Sequence, residues 1–315
     1  MNKNDKIVVL GATGMLGSAI TRELKEQGYS QIILKSKSLG LDLLNYNDVN
    51  EFFKKEKPQY AFMVAGLVGG IVGNQKRNAD YLYENATMAL NVLNAIAKHS
   101  PKTKLLFTGS TCIYPKENPQ PINEERLLAG KLEESNKGYA LAKIVGIVGC
   151  ELYRKQYGLK TIGVMPTNLY GLNDNFNLET GHMIPSLIRK FNDAKKNNTK
   201  VTLWGTGKPR REALYADDCA KACIYLMEHY EGDEIINIGT GFDYSIKEFA
   251  QIISKTINYS AEIEWDLTKP DGTYEKRTDI TKLKEIMPHF KPRSFEEGLR
   301  EVLKYEFNIS TEDKK

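Results

Sequence analysis

Short apolar runs alternate with longer amphipathic stretches through the first half of the chain. Ile7 to Leu10, Ile32 to Leu34, Tyr60 to Val64, Leu105 to Phe107 and Thr161 to Met165 read as strands, being short and rich in apolar and β-branched residues. Between them, Gly17 to Gln27, Val49 to Lys54, Tyr81 to His99 and Tyr139 to Tyr157 read as helices. This βαβ alternation predicts an α/β fold with a doubly wound parallel sheet, helices on both faces and right-handed crossovers. The second half is less regular. Pro166 to His182 reads as a long loop, and Val201 to Trp204 and Glu234 to Ile238 as strands. Ser245 and Glu248 form a capping box ahead of an apolar helix at Phe249 to Ile257, and Ile263 and Trp265 alternate as in an edge strand. The pattern predicts a first domain of residues 1–172 joined by about 206–239. A smaller lobe is expected from about 173–205 and 240–310, with a polar, frayed tail at 311–315.

Composition narrows the class. The chain has 315 residues, 44 Lys and Arg against 40 Asp and Glu, and a net charge of +4. That excess is too small to argue for nucleic acid or an anionic membrane as a partner. No run of about 18 apolar residues could span a bilayer. The start, Met-Asn-Lys-Asn-Asp-Lys, lacks the features of a secretory signal. The four cysteines (Cys112, Cys150, Cys219 and Cys223) contain no Cys-x-x-Cys pair, so free thiols and a cytoplasmic location are expected. Four histidines are too few for a His-rich metal site, and no metal is expected.

Chemistry concentrates first at Gly11-Ala-Thr-Gly14-Met-Leu-Gly17, which follows a strand and opens a helix. Gly11 permits the tight turn, Gly14 lets backbone amides approach a pyrophosphate, and Gly17 allows close helix–strand packing. The helix N-terminus adds free N–H groups and partial positive charge. A Rossmann-type dinucleotide site is therefore predicted. The second strand ends in Lys35-Ser36-Lys37 where an NAD site usually carries an acid, so the cations and hydroxyl suit the 2′-phosphate of NADP(H). Asp42 follows later and could meet the adenine ring.

Tyr139 and Lys143 stand four residues apart on one helix face, and Lys143 is the only charged residue from Gly138 to Cys150. An ammonium there is costly to bury without a partner or task. Beside a phenol it lowers the phenol's pKa and helps it exchange a proton. Ser110, just past the strand ending at Phe107, can donate to a substrate carbonyl.

These residues resemble the extended short-chain dehydrogenase/reductase family. Longer strings sharpen the likeness: Gly109-Ser-Thr-Cys-Ile-Tyr-Pro-Lys116, Met165-Pro-Thr-Asn-Leu-Tyr-Gly171, Asp174-Asn-Phe176 and Trp204-Gly-Thr-Gly-Lys-Pro-Arg-Arg-Glu212 are similar to the GDP-L-fucose synthase family from Gly11 to about Leu283. That family epimerises GDP-4-keto-6-deoxy-mannose at C3 and C5 and reduces it at C4. The resemblance implies that Cys112 and His182 carry the epimerisation. It also implies that Ser110, Tyr139 and Lys143 carry the reduction. Cofactor contacts are implied at Thr13, Met15, Leu16, Leu43, Ala65, Gly66 and Thr108, and along Pro166 to Leu169. Asn168, Lys190, Trp204 and Arg211 are implied to hold the GDP-sugar.

Some positions depart from that family's pattern. Ala12 replaces a basic residue, Leu67 replaces a lysine of the active-site wall, and Ala213 replaces a phenylalanine. A widened wall is expected to admit a related GDP-4-keto-6-deoxy sugar such as a heptose, with C4 reduction alone as the alternative activity. The helix at Tyr139 to Tyr157 and the long helix before it predict a four-helix contact, hence a homodimer.

Overall fold

The structure, a computed structural model, describes residues 1–269 and 271–310. The expected frayed tail lies outside the described residues. In chain order the first elements are β1 (Ile7–Leu10), α1 (Met15–Glu26), β2 (Ile32–Lys35), α2 (Tyr46–Glu56), β3 (Tyr60–Met63), α3 (Ile71–Lys76), α4 (Asn78–His99), β4 (Lys104–Thr108), α5 (Lys137–Tyr157), β5 (Lys160–Pro166) and β6 (Asn168–Tyr170). There follow α6 (Met183–Asn197), β7 (Val201–Trp204), β8 (Arg210–Tyr215), α7 (Ala216–His229), β9 (Ile236–Ile238), β10 (Asp243–Ser245), α8 (Ile246–Thr256), β11 (Ile263–Asp266), β12 (Glu275–Lys276), α9 (Thr281–Ile286) and α10 (Phe295–Phe307).

Six strands form one parallel sheet in the order β2-β1-β3-β4-β5-β9. The doubly wound α/β expectation holds. One face buries α1 and α7 (Ile20, Leu24, Cys219, Cys223, Leu226), and the other buries α2, α4 and α5 (Phe53, Val92, Ile96, Ile147). Burial of Cys219 and Cys223 inside α7 makes them packing residues. Ile280 and Leu283 also join the first core, so the stretch around α9 returns to the sheet. The chain order reverses at β1, which puts the crevice between β1 and β3 beside the first glycine turn.

A third core gathers Phe191, Tyr215, Phe249, Phe295 and Leu299 around α6, α8 and α10. The capping box forms as expected: Glu248 N–H donates to Ser245 Oγ (3.1 Å) and Ser245 N–H to Glu248 Oε2 (2.6 Å). Ile263 and Trp265 lie in β11, which pairs in parallel with β7.

The two halves meet at β8, which pairs with β6, β10 and β12. Its Glu212 has no exposed surface. The carboxylate accepts from Thr240 N (2.5 Å), Gly241 N (2.7 Å), Thr278 N (2.8 Å) and the hydroxyls of Thr240 (3.3 Å) and Thr278 (2.6 Å). A buried carboxylate stays only where its lone pairs are filled. Removing it strands several buried donors, so Glu212→Ala should lower stability by roughly 3–5 kcal/mol. Urea unfolding checks this; an unchanged midpoint would show that water satisfies those donors.

Candidate active site

Gly11 has φ +96°, and a Cβ there would lie 2.6 Å from Ala65 N at the end of β3. At Gly17 a Cβ would run into the Gly11 carbonyl. Gly14 caps α1, and no side chain bonds to that helix start. The result is a tight cradle of backbone at the sheet's switch point, with Thr13 exposed over it and Met15 and Leu16 beginning the helix. This fits a dinucleotide pyrophosphate by shape and by helix polarity.

The end of β2 borders the cradle, because Gly11 N and Ala12 N both donate to Lys35 O (2.7 and 3.1 Å). Lys35 Nζ reaches Leu39 O at 3.4 Å, and Ser36 Oγ caps the turn at Leu39 N (3.2 Å). Lys37 is exposed and pairs with Asp42 at 2.9 Å. Lys37 and Asp42, assigned separate tasks from sequence, are thus partners in the structure. Leu43 is buried beneath them.

Lys143 is buried and donates from Nζ to Thr108 O at 2.7 Å. The ammonium lies 5.7 Å from the Tyr139 ring centroid and 5.3 Å from that of Phe107. Burial lowers its pKa to about 8. Burial raises the Tyr139 phenol well above its ordinary value, and a Cys112 thiolate would raise it further. Thr108 Oγ1 is buried without a hydrogen-bond partner among the described residues. A Cβ on Gly66 would lie 3.5 Å from Lys143 Nζ, so the loop after β3 walls the same space.

Ser110 Oγ accepts from Cys112 N at 3.3 Å. Cys112 is 8% exposed, and burial pushes its thiol pKa up while Lys276, Ser110 and Lys143 pull it back. Tyr139, Lys143, Ser110 and Cys112 are therefore one cluster. His182 stands at the position just before α6, its side chain making no capping bond among the described residues. The residue is exposed overall, yet its imidazole is crowded enough that lost solvation lowers its pKa. Its loop leans on the wall after β3: Gly70 N donates to Thr180 O at 3.0 Å, and a Cβ on Gly70 would meet Gly181 O at 2.5 Å.

Pro166 ends β5 against Ile238, and Asn168 donates from Nδ2 to Glu212 O at 2.8 Å. Leu169 is half-buried between the first core and the pocket side. Trp204 is 53% exposed while its strand neighbour Leu203 is buried, so Trp204 is no core residue. Lys190 Nζ and Lys269 Nζ lie 5.7 and 5.6 Å from its ring. Lys190 also donates to Thr202 O at 3.1 Å. Arg211 donates only to Arg210 O (2.7 Å) among the described residues, and burial lowers its pKa.

Lys276 was not anticipated. It pairs in register with Arg211 across β12 and β8, and burial lowers its pKa while Cys112 draws it up. No local signal marks it, since its place depends on a contact 65 residues away in sequence. The expectation for Ala213 needs correction. Its side chain is 5% exposed and packs in the third core, so its small size does not widen the pocket. Leu67 does sit at the wall, its N–H and C=O both clamped by Asn85 (2.8 and 3.0 Å).

Residues 7–239 match the NAD dependent epimerase/dehydratase family. The chain is 46% identical over 287 residues to a putative GDP-L-fucose synthase 2 of Arabidopsis thaliana, covering 91% of this chain and 87% of that one. The chain belongs to the NAD dependent epimerase/dehydratase family, in its GDP-L-fucose synthase group. The GDP-L-fucose synthase of Escherichia coli K12 is 40% identical over 319 residues, covering 98% of both chains. Among solved structures, a GDP-mannoheptose C4 reductase from Campylobacter jejuni with NADP bound superposes with TM-score 0.88 at 33% identity, covering 98% of this chain and 100% of that one.

The family's cofactor fits the cradle, and Lys35 is the cation at its edge without a carboxylate partner among the described residues. Lys35→Glu should weaken NADPH binding by about ten- to a hundredfold, the scale of a lost charge-assisted contact, with NADH changed by less than about threefold. Nicotinamide fluorescence titration reads both; equal losses for the two cofactors would move the phosphate contact elsewhere.

Proposed function

We propose that this protein uses NADPH to reduce the C4 ketone of a GDP-4-keto-6-deoxy sugar, and that the same pocket epimerises C3 and C5. The observation that carries this reading is the cluster of half-buried Tyr139 and Ser110 with buried Lys143 and Cys112 beside the glycine cradle. Ser110 Oγ donates to the ketone oxygen and orients it. The ketone acidifies the neighbouring C–H bonds. The Cys112 thiolate takes a proton from one face, leaving an enolate, and His182 returns one from the other. NADPH supplies the hydride for C4. As charge develops on the C4 oxygen, Tyr139, which burial keeps protonated, delivers its phenolic proton there, and the Lys143 ammonium beside it stabilises the phenolate that remains. Arg211, Lys190 and Trp204 hold the GDP portion, with the Arg211 fork suited to a diphosphate.

A second reading, C4 reduction alone on a bulkier sugar such as a heptose, is favoured by Leu67, which stands at the wall in place of the lysine that the resemblance implies. Incubation with the keto sugar in D2O separates the two. Deuterium at C3 and C5 that disappears in Cys112→Ser supports epimerisation, and reduction without exchange supports the second reading. In either case Tyr139→Phe should cut reduction by about 10²–10⁴-fold, the usual contribution of a positioned acid. Because the Lys143 cation is lost on titration at about 8, kcat/KM for reduction should fall as pH rises past that value. A flat profile to pH 10 would remove Lys143 from this role.

We further propose a homodimer through α4 and α5. These helices expose Leu82, Tyr83, Leu90, Leu152 and Tyr157, and Tyr83 and Leu90 stand two turns apart on one face of α4. Light scattering at micromolar concentration should give twice the chain mass, with Leu90→Glu shifting it toward the monomer. A monomeric wild type would overturn the dimer.

A further inference from the structure

Tyr139 is the third residue of α5, in the first turn, where a helix has the fewest internal hydrogen bonds. That turn has no cap of its own. The side chain of Asn136, the residue before it, makes no capping bond, and its Oδ1 is buried without a partner among the described residues. The missing acceptor comes from another helix. Asn78, the first residue of α4, accepts the Gly138 N–H on its Oδ1 at 2.6 Å from 60 residues away in sequence. Its Nδ2 reaches the Glu134 carbonyl in the approach to α5 at 3.4 Å.

The fit leaves no slack. A Cβ on Gly138 would lie 2.6 Å from Asn78 Oδ1 and would collide with the Asn78 carbonyl oxygen. Only glycine lets the two chains approach this closely. Asn78 is itself held at the head of α4, where Arg77 pairs with Asp80 at 2.9 Å. The residue that takes this bond immediately precedes Tyr139 in the chain.

We propose that Asn78 is a positioning residue for Tyr139, fixing the first turn of α5 from α4 so that the phenol stays aimed beside Lys143 and Ser110. It touches neither substrate nor cofactor. Lys143, a full turn further along α5, is secured separately by Thr108 O. Loss of the brace therefore misplaces the phenol more than the ammonium. A displacement of about 1 Å at a reacting group can cost on the order of a hundredfold in rate.

The inference rests on the reduction reading above, and the test keeps the two apart. In Asn78→Ala, kcat for reduction should fall about ten- to a hundredfold while KM for NADPH and for the GDP-sugar stays within about twofold. Asn78→Asp retains the acceptor and places an anion at a helix N-terminus, so it should recover most of the rate. Hydrogen exchange of the cofactor-free protein, read by mass spectrometry, should show residues 137–142 opening at least about tenfold faster in Asn78→Ala and near wild type in Asn78→Asp. If Asn78→Ala does not fold, Asn78→Ser, whose short hydroxyl falls back from Gly138, takes its place. Unchanged exchange in that segment, an unchanged kcat, or an Asn78→Asp variant as slow as Asn78→Ala would overturn the proposal. Should the wild type reduce no GDP-4-keto sugar, the functional reading fails, and the exchange comparison still decides whether Asn78 braces the turn.

Discussion

A charge with no access to water sits where the two halves of this molecule join. Glu212 gathers five donors from the turn after β9 and from the segment after β12, while its own carbonyl accepts Asn168 beyond β5. Burying a carboxylate alone would be prohibitive, and each donor alone would be stranded. Together they are satisfied, and the arrangement tolerates little displacement. Arg211 is the neighbouring residue on β8, and Lys276 pairs with it from β12. The two cations facing the pocket therefore inherit their positions from the carboxylate behind them. A dinucleotide-binding sheet is coupled in this way to a lobe assembled from distant segments.

The pocket's groups share one electrostatic condition. Lys143, Lys276 and Arg211 are pushed toward loss of their protons, and Tyr139 and Cys112 toward keeping theirs, with burial the leading cause each time. Arg211 and Lys276, both half-buried, form no ion pair among the described residues, Glu133 acting on Lys276 only at a distance, which leaves cationic charge under-compensated there. An anionic ligand entering there would relieve the cost of both. Burial also makes proton transfer sensitive to which neighbours are charged, because fields are weakly screened inside the protein. Cys112 and Lys276 bias each other, and Cys112 acts on Tyr139 in the opposite sense.

Much of this was legible from residues near one another in the chain. The glycine turn needs only a strand before it and a helix after it, and Gly11 and Gly17 meet backbone as their spacing implied. Tyr139 and Lys143 share a face because a helix repeats every 3.6 residues. The Ser245 capping box is likewise a local event. β8 was harder to see, since Arg210, Arg211 and Glu212 look like loop residues until their partners are known. Helix α6, which begins directly after His182, follows a long polar loop and carries neither a side-chain cap bond nor an acidic first turn to mark its start. Ala213 illustrates the limit most clearly: its small size is visible in the sequence, but its direction, into the third core, comes from pairing with β6.

Sequence by itself determined the α/β alternation, the dinucleotide turn, and the phenol, ammonium and hydroxyl that gather around Lys143. Each depends on contacts within one element or between consecutive ones, whose geometry the backbone's periodicity dictates. Tertiary structure alone decided that Lys37 and Asp42 would pair, that Lys276 would stand beside Arg211, that Glu212 would be buried, and that Asn78 would complete a helix it does not belong to. Those contacts join residues tens of positions apart or side chains whose rotamers the local chain leaves open. Their energies come from burial and from filling stranded donors, quantities that exist only once the segments are packed together.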